Sequence, residues 1–212
     1  MSAKHLFYNS PEIIEAGVDE CGRGTLISRV YAGAVIWDPN IQSSLIRDSK
    51  KIKKDRDFNI AYDFIKENAI DYAFAYVEAD EIDRINILQA SMKAMHLALD
   101  QLCIRPQHVL TDGNKFNHYM DPYNDDVVPH TTIIEGDANY YSIAAASIIA
   151  KIERDHYMVK LCEEHPELNL YGIAKNKGYA SSEHRKAIEQ WGITPFHRKT
   201  FGICKQYAGG CN

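Results

Sequence analysis

Apolar residues gather in five short runs along the chain, and the stretches between the later runs carry helical spacing. Residues 13–19 (IIEAGVD) and 30–37 (VYAGAVIW) are separated by a Gly-containing connection and predict neighbouring strands in a hairpin. Residues 71–78 (DYAFAYVE) alternate loosely and predict a third strand. The run at 108–113 (HVLTDG) ends in Asp-Gly, a strand followed by a turn, and 131–137 (TTIIEGD) repeats that design. Helices are predicted over 55–67, over 80–102 with Ile82, Ile85, Leu88 and Met92 on one face, over 140–162, and over 181–190 after a Ser-Ser cap. The helix at 140–162 begins apolar on every side and turns amphipathic, so its first half belongs in the core. Strands cluster first and then alternate with helices, which predicts an α/β fold with helices packed on a mixed sheet.

Composition narrows the class. With 212 residues the chain builds one well-buried domain. No apolar stretch is long enough to span a bilayer, and the N-terminus lacks the apolar segment of a signal peptide. A cytoplasmic location is expected, without separating cytosol from nucleus. The five cysteines form no C-x-x-C pair, so reduced thiols are expected rather than disulfides or zinc. A net charge of −5 weighs mildly against nucleic acid as a partner. Its distribution weighs the other way. Arg47, Lys50, Lys51, Lys53, Lys54 and Arg56 form one basic run, and the C-terminal stretch is basic from Lys175 through Arg198 to Lys205. Both are expected to flank the functional edge and hold phosphates, although a charge run taken alone is more often a solvated face.

Where the acids fall carries the chemistry. Asp19 and Glu20 end the first run, Asp112 ends the fourth and Asp137 follows the fifth. Ligands of open α/β sheets bind beyond the carboxyl ends of the strands. If the first and fourth strands are parallel neighbours, Asp19 and Asp112 meet there, and Asp137 arrives at the same edge. Carboxylates so gathered repel one another unless a cation lies among them. A donor set of oxygens alone suits Mg²⁺ or Mn²⁺, and two such ions about 4 Å apart can activate water and stabilise the leaving oxygen of a phosphodiester. One acid alone would be better read as a turn or cap residue. Gly22-Arg23-Gly24 follows directly, with glycines that let backbone approach a ligand and an arginine able to meet a phosphate. Lys177-Gly178-Tyr179, with His184 nearby, offers a ring that can stack on a sugar or base.

Taken together, these motifs resemble the ribonuclease HII family, the type 2 ribonucleases H. The matching stretches are G-V-D-E-C-G-R-G (17–24), D-S-K-K-I (48–52), T-D-G-N (111–114), the block from E-G-D-A-N-Y-Y-S to K-I-E-R-D (135–155), N-K-G-Y-A-S-S-E-H (176–184) and P-F-H-R-K-T-F (195–201). The resemblance implies a ribonuclease H-like five-stranded mixed sheet flanked by helices, with a helical C-terminal part. It implies one catalytic domain over 1–212, in which 163–212 is a substrate-binding extension. Asp19, Glu20, Asp112 and Asp137 map onto the family's metal-binding acids. Gly22, Arg23 and Gly24 map onto the motif whose backbone contacts the ribonucleotide at an RNA–DNA junction, and Tyr179 onto its junction-reading tyrosine. Lys50 lies in the D-S-K match and is a candidate substrate contact, whereas Asp155 is taken as structural.

The implied activity is hydrolysis of the RNA strand of RNA–DNA hybrids, and cleavage 5′ of ribonucleotides embedded in duplex DNA, leaving 3′-hydroxyl and 5′-phosphate ends. Mg²⁺ or Mn²⁺, two ions, would serve as cofactor. A monomer is expected, and the tail KQYAGGCN carries no sliding-clamp peptide. Two alternatives stand beside this: an enzyme of the ribonuclease HIII type preferring long hybrids, and a non-catalytic nucleic-acid binder on the same fold. The Gly-Arg-Gly motif and the absence of an extra N-terminal domain favour the first reading over the HIII type, and the intact acids favour it over the binder. Three departures from the family stand out. Thr25–Val30 replaces a proline-containing run, Glu135 stands where lysine is common, and the connection from Asp112 to Asp137 is long, acidic and tyrosine-rich.

Overall fold

The computed structural model describes residues 4–46 and 54–209. Its centre is a five-stranded sheet in the order β3-β2-β1-β4-β7. These strands are β1 (Glu15–Cys21), β2 (Val30–Ile36), β3 (Asp71–Val77), β4 (His108–Asp112) and β7 (His130–Ile133). The first three pair antiparallel, whereas β1 with β4 and β4 with β7 pair parallel. This is the mixed sheet expected, and the parallel neighbourhood of β1 and β4 is the condition on which the meeting of Asp19 and Asp112 rested.

Helix α5 (Tyr141–Glu164) lies on one face, and its apolar first half is buried throughout. It can lie so close because β1 and β2 present glycines beneath it. A Cβ on Gly17 would come within 2.3 Å of the Ser142 carbonyl carbon, and one on Gly33 within 2.3 Å of the Ala146 carbonyl oxygen. Helix α1 (Asp55–Asn68) joins α5 in a core that includes Val35, Trp37, Phe58 and Ile65. The other face is covered by α3 (Ile87–Asp100), whose Ala90, Ala94, Met95 and Ala98 pack on alternate strand residues such as Val18, Ala32 and Ala75.

The single helix expected over 80–102 is two. Helix α2 (Ala79–Ile85) ends at Asn86, whose φ of 68° lies in the left-handed region, and α3 begins after it. The Asn86 side chain accepts from the amides of Leu88 and Gln89 at 3.0 and 3.2 Å. An asparagine that caps new donors offsets the break, and apolar periodicity alone does not register it. The long connection after β4 contains a small hairpin, β5 (Tyr119–Met120) with β6 (Val127–Val128), that buries Tyr119 and Val128 against the α3 side. A short helix α4 (Gly136–Asn139) precedes α5.

Beyond α5 come a 3-10 segment (Pro166–Tyr171), α6 (Ile173–Asn176), α7 (Ser182–Trp191) and α8 (Cys204–Tyr207). Ser181 caps α7 by accepting from the His184 amide at 3.1 Å. These elements form a third core around Leu161, Leu168, Ile173 and Ile188, and Leu26 and Ile27 from the β1–β2 connection are buried in it. Among the described residues no helix is long and apolar enough to cross a membrane.

The contact between α5 and the sheet is testable. Gly33→Ala forces a methyl against backbone that has no free end to swing away, so α5 must shift. Overpacking of this kind costs about 1–3 kcal/mol. At roughly 2–4 °C per kcal/mol for a chain of this size, thermal unfolding followed by circular dichroism should show Tm lowered by several degrees. An unchanged Tm would mean that the helix is not seated on Gly33.

Candidate active site

The β1–β4 pairing determines what reaches the sheet edge. Val18 stands opposite Thr111, so Asp19 and Asp112 are the next residues of two parallel strands. Asp19 is only 6% exposed, and its Oδ1 accepts from the Glu20 amide at 2.8 Å. Ser147 of α5 is a further hydrogen-bond partner of the Asp19 carboxylate. Asp112 Oδ1 accepts from the Gly136 amide at 2.7 Å. Burial above all, and then the negative charges of Glu20 and Asp112, push the Asp19 carboxyl well above the usual carboxylate range, against the hydrogen bonds it accepts.

Asp19, Glu20 and Asp112 line a cleft of about 520 Å³ together with Gly22, Arg23, Gly24 and Tyr179. Asp137, in the first turn of α4, is 2% exposed and is not among the lining residues. Its neighbour Gly136 is the group bonded to Asp112, and Lys4 Nζ donates to the Asp137 carbonyl. Among the described residues no group of three or more His, Cys, Asp or Glu side chains is already arranged to hold a metal ion. The donor chemistry nonetheless fits a hard divalent cation. The donors are oxygens throughout, and a buried carboxylate crowded by two others is stabilised in its charged form by a cation.

Beside the acids, two further segments wall the cleft. Gly22 has φ +91°, and Arg23, half-exposed, pairs with Glu20 at 2.9 Å. The Tyr179 ring stands beside Gly24, where a Cβ would lie 3.9 Å from its Cε1. Leu26 N donates to Gly178 O at 2.9 Å, so the backbone on either side of the cleft is joined directly. Gly178 takes φ +83° between these segments, and a Cβ there would strike Ile27 at 2.8 Å. The Tyr179 hydroxyl accepts from Arg154 Nη1 at 3.2 Å, and Arg154 is itself held by Asp155 through Nε at 3.0 Å. Lys151 completes this group by pairing with Asp155 at 2.5 Å.

The loop at 25–30 lacks prolines and is held by tertiary contacts instead. Arg29 lies between the rings of Tyr76 and Tyr157, 4.0 and 3.8 Å from their centroids, and pairs with Glu78 at 2.6 Å. Arg198 corrects an expectation. The sequence places it among the C-terminal cations expected to hold phosphates, yet it is fully buried. Its guanidinium donates to four backbone carbonyls of this loop, those of Ser28, Arg23, Gly22 and Arg29, at 2.8 to 3.0 Å. Sequence reasoning missed this role because a buried arginine and a surface one look alike in a basic stretch. Lys177 does line the cleft. Lys50 and most of the first basic run lie outside the described residues.

Behind Tyr179 lie two buried histidines. His197 Nδ1 accepts from the Thr194 amide at 3.0 Å, so its proton is on Nε2. That Nε2–H donates to His184 Nε2 at 3.0 Å, and His184 Nδ1–H donates to the Tyr179 carbonyl at 3.0 Å. Both rings are neutral in this arrangement. Burial first, and then the proximity of His184, pushes His197 down to about 3.

A mixed five-stranded sheet in this order, flanked by helices and with carboxylates at its β1–β4 edge, is the fold of the ribonuclease H class. The family model described as Ribonuclease HII matches residues 16–204. Ribonuclease HII of Bacteroides thetaiotaomicron is 48% identical over 196 residues, spanning 92% of this chain and 93% of that relative. The solved ribonuclease H2 from Pyrococcus horikoshii OT3 superposes with a TM-score of 0.71 at 24% identity, over 92% of this chain and 96% of that one. Bst ribonuclease HIII in complex with Mn²⁺ superposes with a TM-score of 0.68 at 16% identity, over 92% of this chain and 69% of that one. The chain belongs to the ribonuclease HII family.

The histidine pair makes acid stability a test of the site's architecture. An unfolded histidine titrates near 6.5. The folded value of His197 is depressed, so its contribution is fully present above about pH 6.5 and is lost as pH falls towards 3. That loss approaches about 1.4 kcal/mol per pH unit. Unfolding midpoints measured between pH 7 and 4 should therefore fall more steeply for the native protein than for His197→Gln. Parallel slopes would show that His197 is not held neutral.

Proposed function

We propose that the cleft hydrolyses the RNA strand of RNA–DNA hybrids and cuts on the 5′ side of a ribonucleotide embedded in duplex DNA. The observation that carries this reading is that Asp19, Glu20 and Asp112 line one cleft together with Gly22–Gly24 and Tyr179. One ribonucleotide would lie between the walls, with glycine backbone near its 2′-hydroxyl and the tyrosine ring on the adjoining deoxyribose. An added hydroxyl on that deoxyribose would meet the ring. The glycines are needed because side chains there would keep the backbone from the sugar.

In a cut at this position the 2′-hydroxyl belongs to the sugar that keeps the phosphate, and the leaving oxygen is the 3′-oxygen of the preceding nucleotide. That hydroxyl is not adjacent to the leaving oxygen and so serves recognition rather than attack. Water is the nucleophile, and the ends are 3′-hydroxyl and 5′-phosphate. Asp19, Glu20, Asp112 and Asp137 would hold the divalent cations, Mg²⁺ or Mn²⁺ and two in number; the Mn²⁺ complex of Bst ribonuclease HIII supports this class of ion. Such cations, when bound, favour ionisation of water and draw charge from the phosphate. Of the chain's own groups, Ser147 and the Glu20 amide orient Asp19, and the Gly136 amide orients Asp112. Lys177 and Arg23, both lining the cleft, would meet flanking phosphates. The helical part from 163 onward, which carries Lys177 and Tyr179, is the substrate-binding portion of a single catalytic domain.

Asp19→Asn and Asp112→Asn should each lower turnover by at least about 10²-fold, since each removes charge that positions the reacting groups. The assay is cleavage of a duplex carrying one ribonucleotide, beside a full hybrid and all-DNA, with Mg²⁺ and with Mn²⁺. Near-native rates in either variant, or equal cleavage of the all-DNA duplex, would sink the proposal.

Tyr179 separates stacking from hydrogen bonding. Its hydroxyl is already bonded to Arg154, which leaves the ring as the group offered to the substrate. Tyr179→Ala should reduce cleavage at a single ribonucleotide by about 10²-fold, on the scale of a misplaced substrate. Tyr179→Phe should stay within about tenfold of native, because a ring remains to stack. Equal losses in both variants would point to the hydroxyl instead.

A further inference from the structure

The two walls of the cleft come from distant parts of the chain, Gly22–Gly24 after β1 and Tyr179 before α7. Among the described residues they share no helix or extended strand, and a single antiparallel bridge, Thr25 with Tyr179, links them through the bond from Leu26 N to Gly178 O. The segment from Thr194 to Arg198 touches both. Ser28 N donates to Phe196 O and Arg198 N to Leu26 O, each at 2.8 Å, so this segment is laced to the loop behind the glycine wall. Asp83 accepts from the amides of Lys199 and Thr200 at 2.7 and 2.9 Å and tethers its far end to α2.

From this segment two consecutive side chains reach in different directions. His197, oriented by the Thr194 amide, passes its Nε2–H to His184, and His184 passes its Nδ1–H to the carbonyl of Tyr179. Arg198 sends its fork to the carbonyls of Gly22 and Arg23, and to those of Ser28 and Arg29. Both histidines and the arginine are within 1% of complete burial, so water does not compete for these bonds. A buried polar network is satisfied in one arrangement only, and displacing any member leaves a donor or acceptor unmet. The Arg198 guanidinium bonds four carbonyls and, among the described residues, no carboxylate, an unusual use of a charge that burial otherwise disfavours. For a purely packing role an apolar side chain would serve as well.

We propose that His184, His197 and Arg198 are positioning residues that together set the width of the ribonucleotide cleft, the histidines by fixing the backbone of Tyr179 and the arginine by fixing that of Gly22 and Arg23. This inference rests on the reading of Tyr179 and Gly22–Gly24 as the two sides of a ribonucleotide site. Arg154 holds the Tyr179 hydroxyl at the other end of the ring, so the side chain is braced at both ends. None of the three residues is among those lining the cleft, so each acts through the wall it supports.

A double-mutant cycle tests the histidine arm, since residues acting through one another are non-additive. Single-turnover cleavage of a duplex with one ribonucleotide is measured for His197→Leu in the native and Tyr179→Ala backgrounds, with circular dichroism to establish folding. His197→Leu should slow the native enzyme about tenfold and the Tyr179→Ala enzyme less than about twofold, because the ring it positions is already gone. His197→Gln, which retains a donor and an acceptor, should recover part of the loss. If His197→Leu does not fold, His184→Gln is read in the same way. Equal factors in both backgrounds, or no loss in the native one, would overturn the histidine arm. Arg198→Lys, which keeps the charge and loses the fork, should slow both backgrounds, since it acts on the other wall; a native rate would overturn the arginine arm. A native rate for Tyr179→Ala itself would instead show that the ribonucleotide reading fails and the positioning role with it.

Discussion

Parallel pairing of β1 with β4 is the constraint from which the site follows. It brings Asp19 and Asp112 to the same edge, with Glu20 directly after Asp19. Taken alone that arrangement is unfavourable, since burial and two neighbouring charges act against the ionised Asp19. Hydrogen bonds offset part of this, from Ser147 and the Glu20 amide to Asp19 and from the Gly136 amide to Asp112. Ser147 belongs to α5, which lies against the sheet because Gly17 and Gly33 carry no side chain. The close packing of α5 and the electrostatics of the acid edge are thus one design. A divalent cation bound at this edge would offset the repulsion that the hydrogen bonds only partly relieve.

The family departures acquire physical meaning in this setting. A proline-containing run would stiffen the loop after the glycines through its own backbone. Here Leu26 and Ile27 are buried in the C-terminal core, Arg29 is held between two tyrosine rings, and Arg198 gathers the carbonyls. Local stiffness is replaced by contacts across some 170 residues of chain. Glu135 is exposed and takes a left-handed conformation with φ 55°, the turn from which Gly136 presents its amide to Asp112. Its backbone therefore serves the acid edge while its side chain faces solvent. The long connection between Asp112 and Asp137 folds into the β5–β6 hairpin and packs on the α3 side of the sheet.

The sequence by itself determined the strands, the main helices and the residues bound for the sheet edge. Those signals are local: a buried strand needs a short apolar run, α5 needs an apolar start, and an acid at a strand end is visible wherever the strand ends. Motif resemblance gave Glu20 and Tyr179, already singled out by position, the specific roles of metal-binding acid and junction-reading ring, which no periodicity distinguishes from a turn acid and a packing ring. The break at Asn86 was not legible, because the apolar face continues through it and only the cap geometry interrupts the helix. Tertiary structure alone decided strand order, and with it which acids share an edge. It placed Asp19, Glu20 and Asp112 on the cleft, and Asp137 buried beside the residue that bonds Asp112. It also decided that Arg198 serves the backbone rather than phosphate, and that His184 and His197 are bonded to each other. Those roles depend on burial and on partners far away in the chain, and a residue's type and near neighbours carry neither.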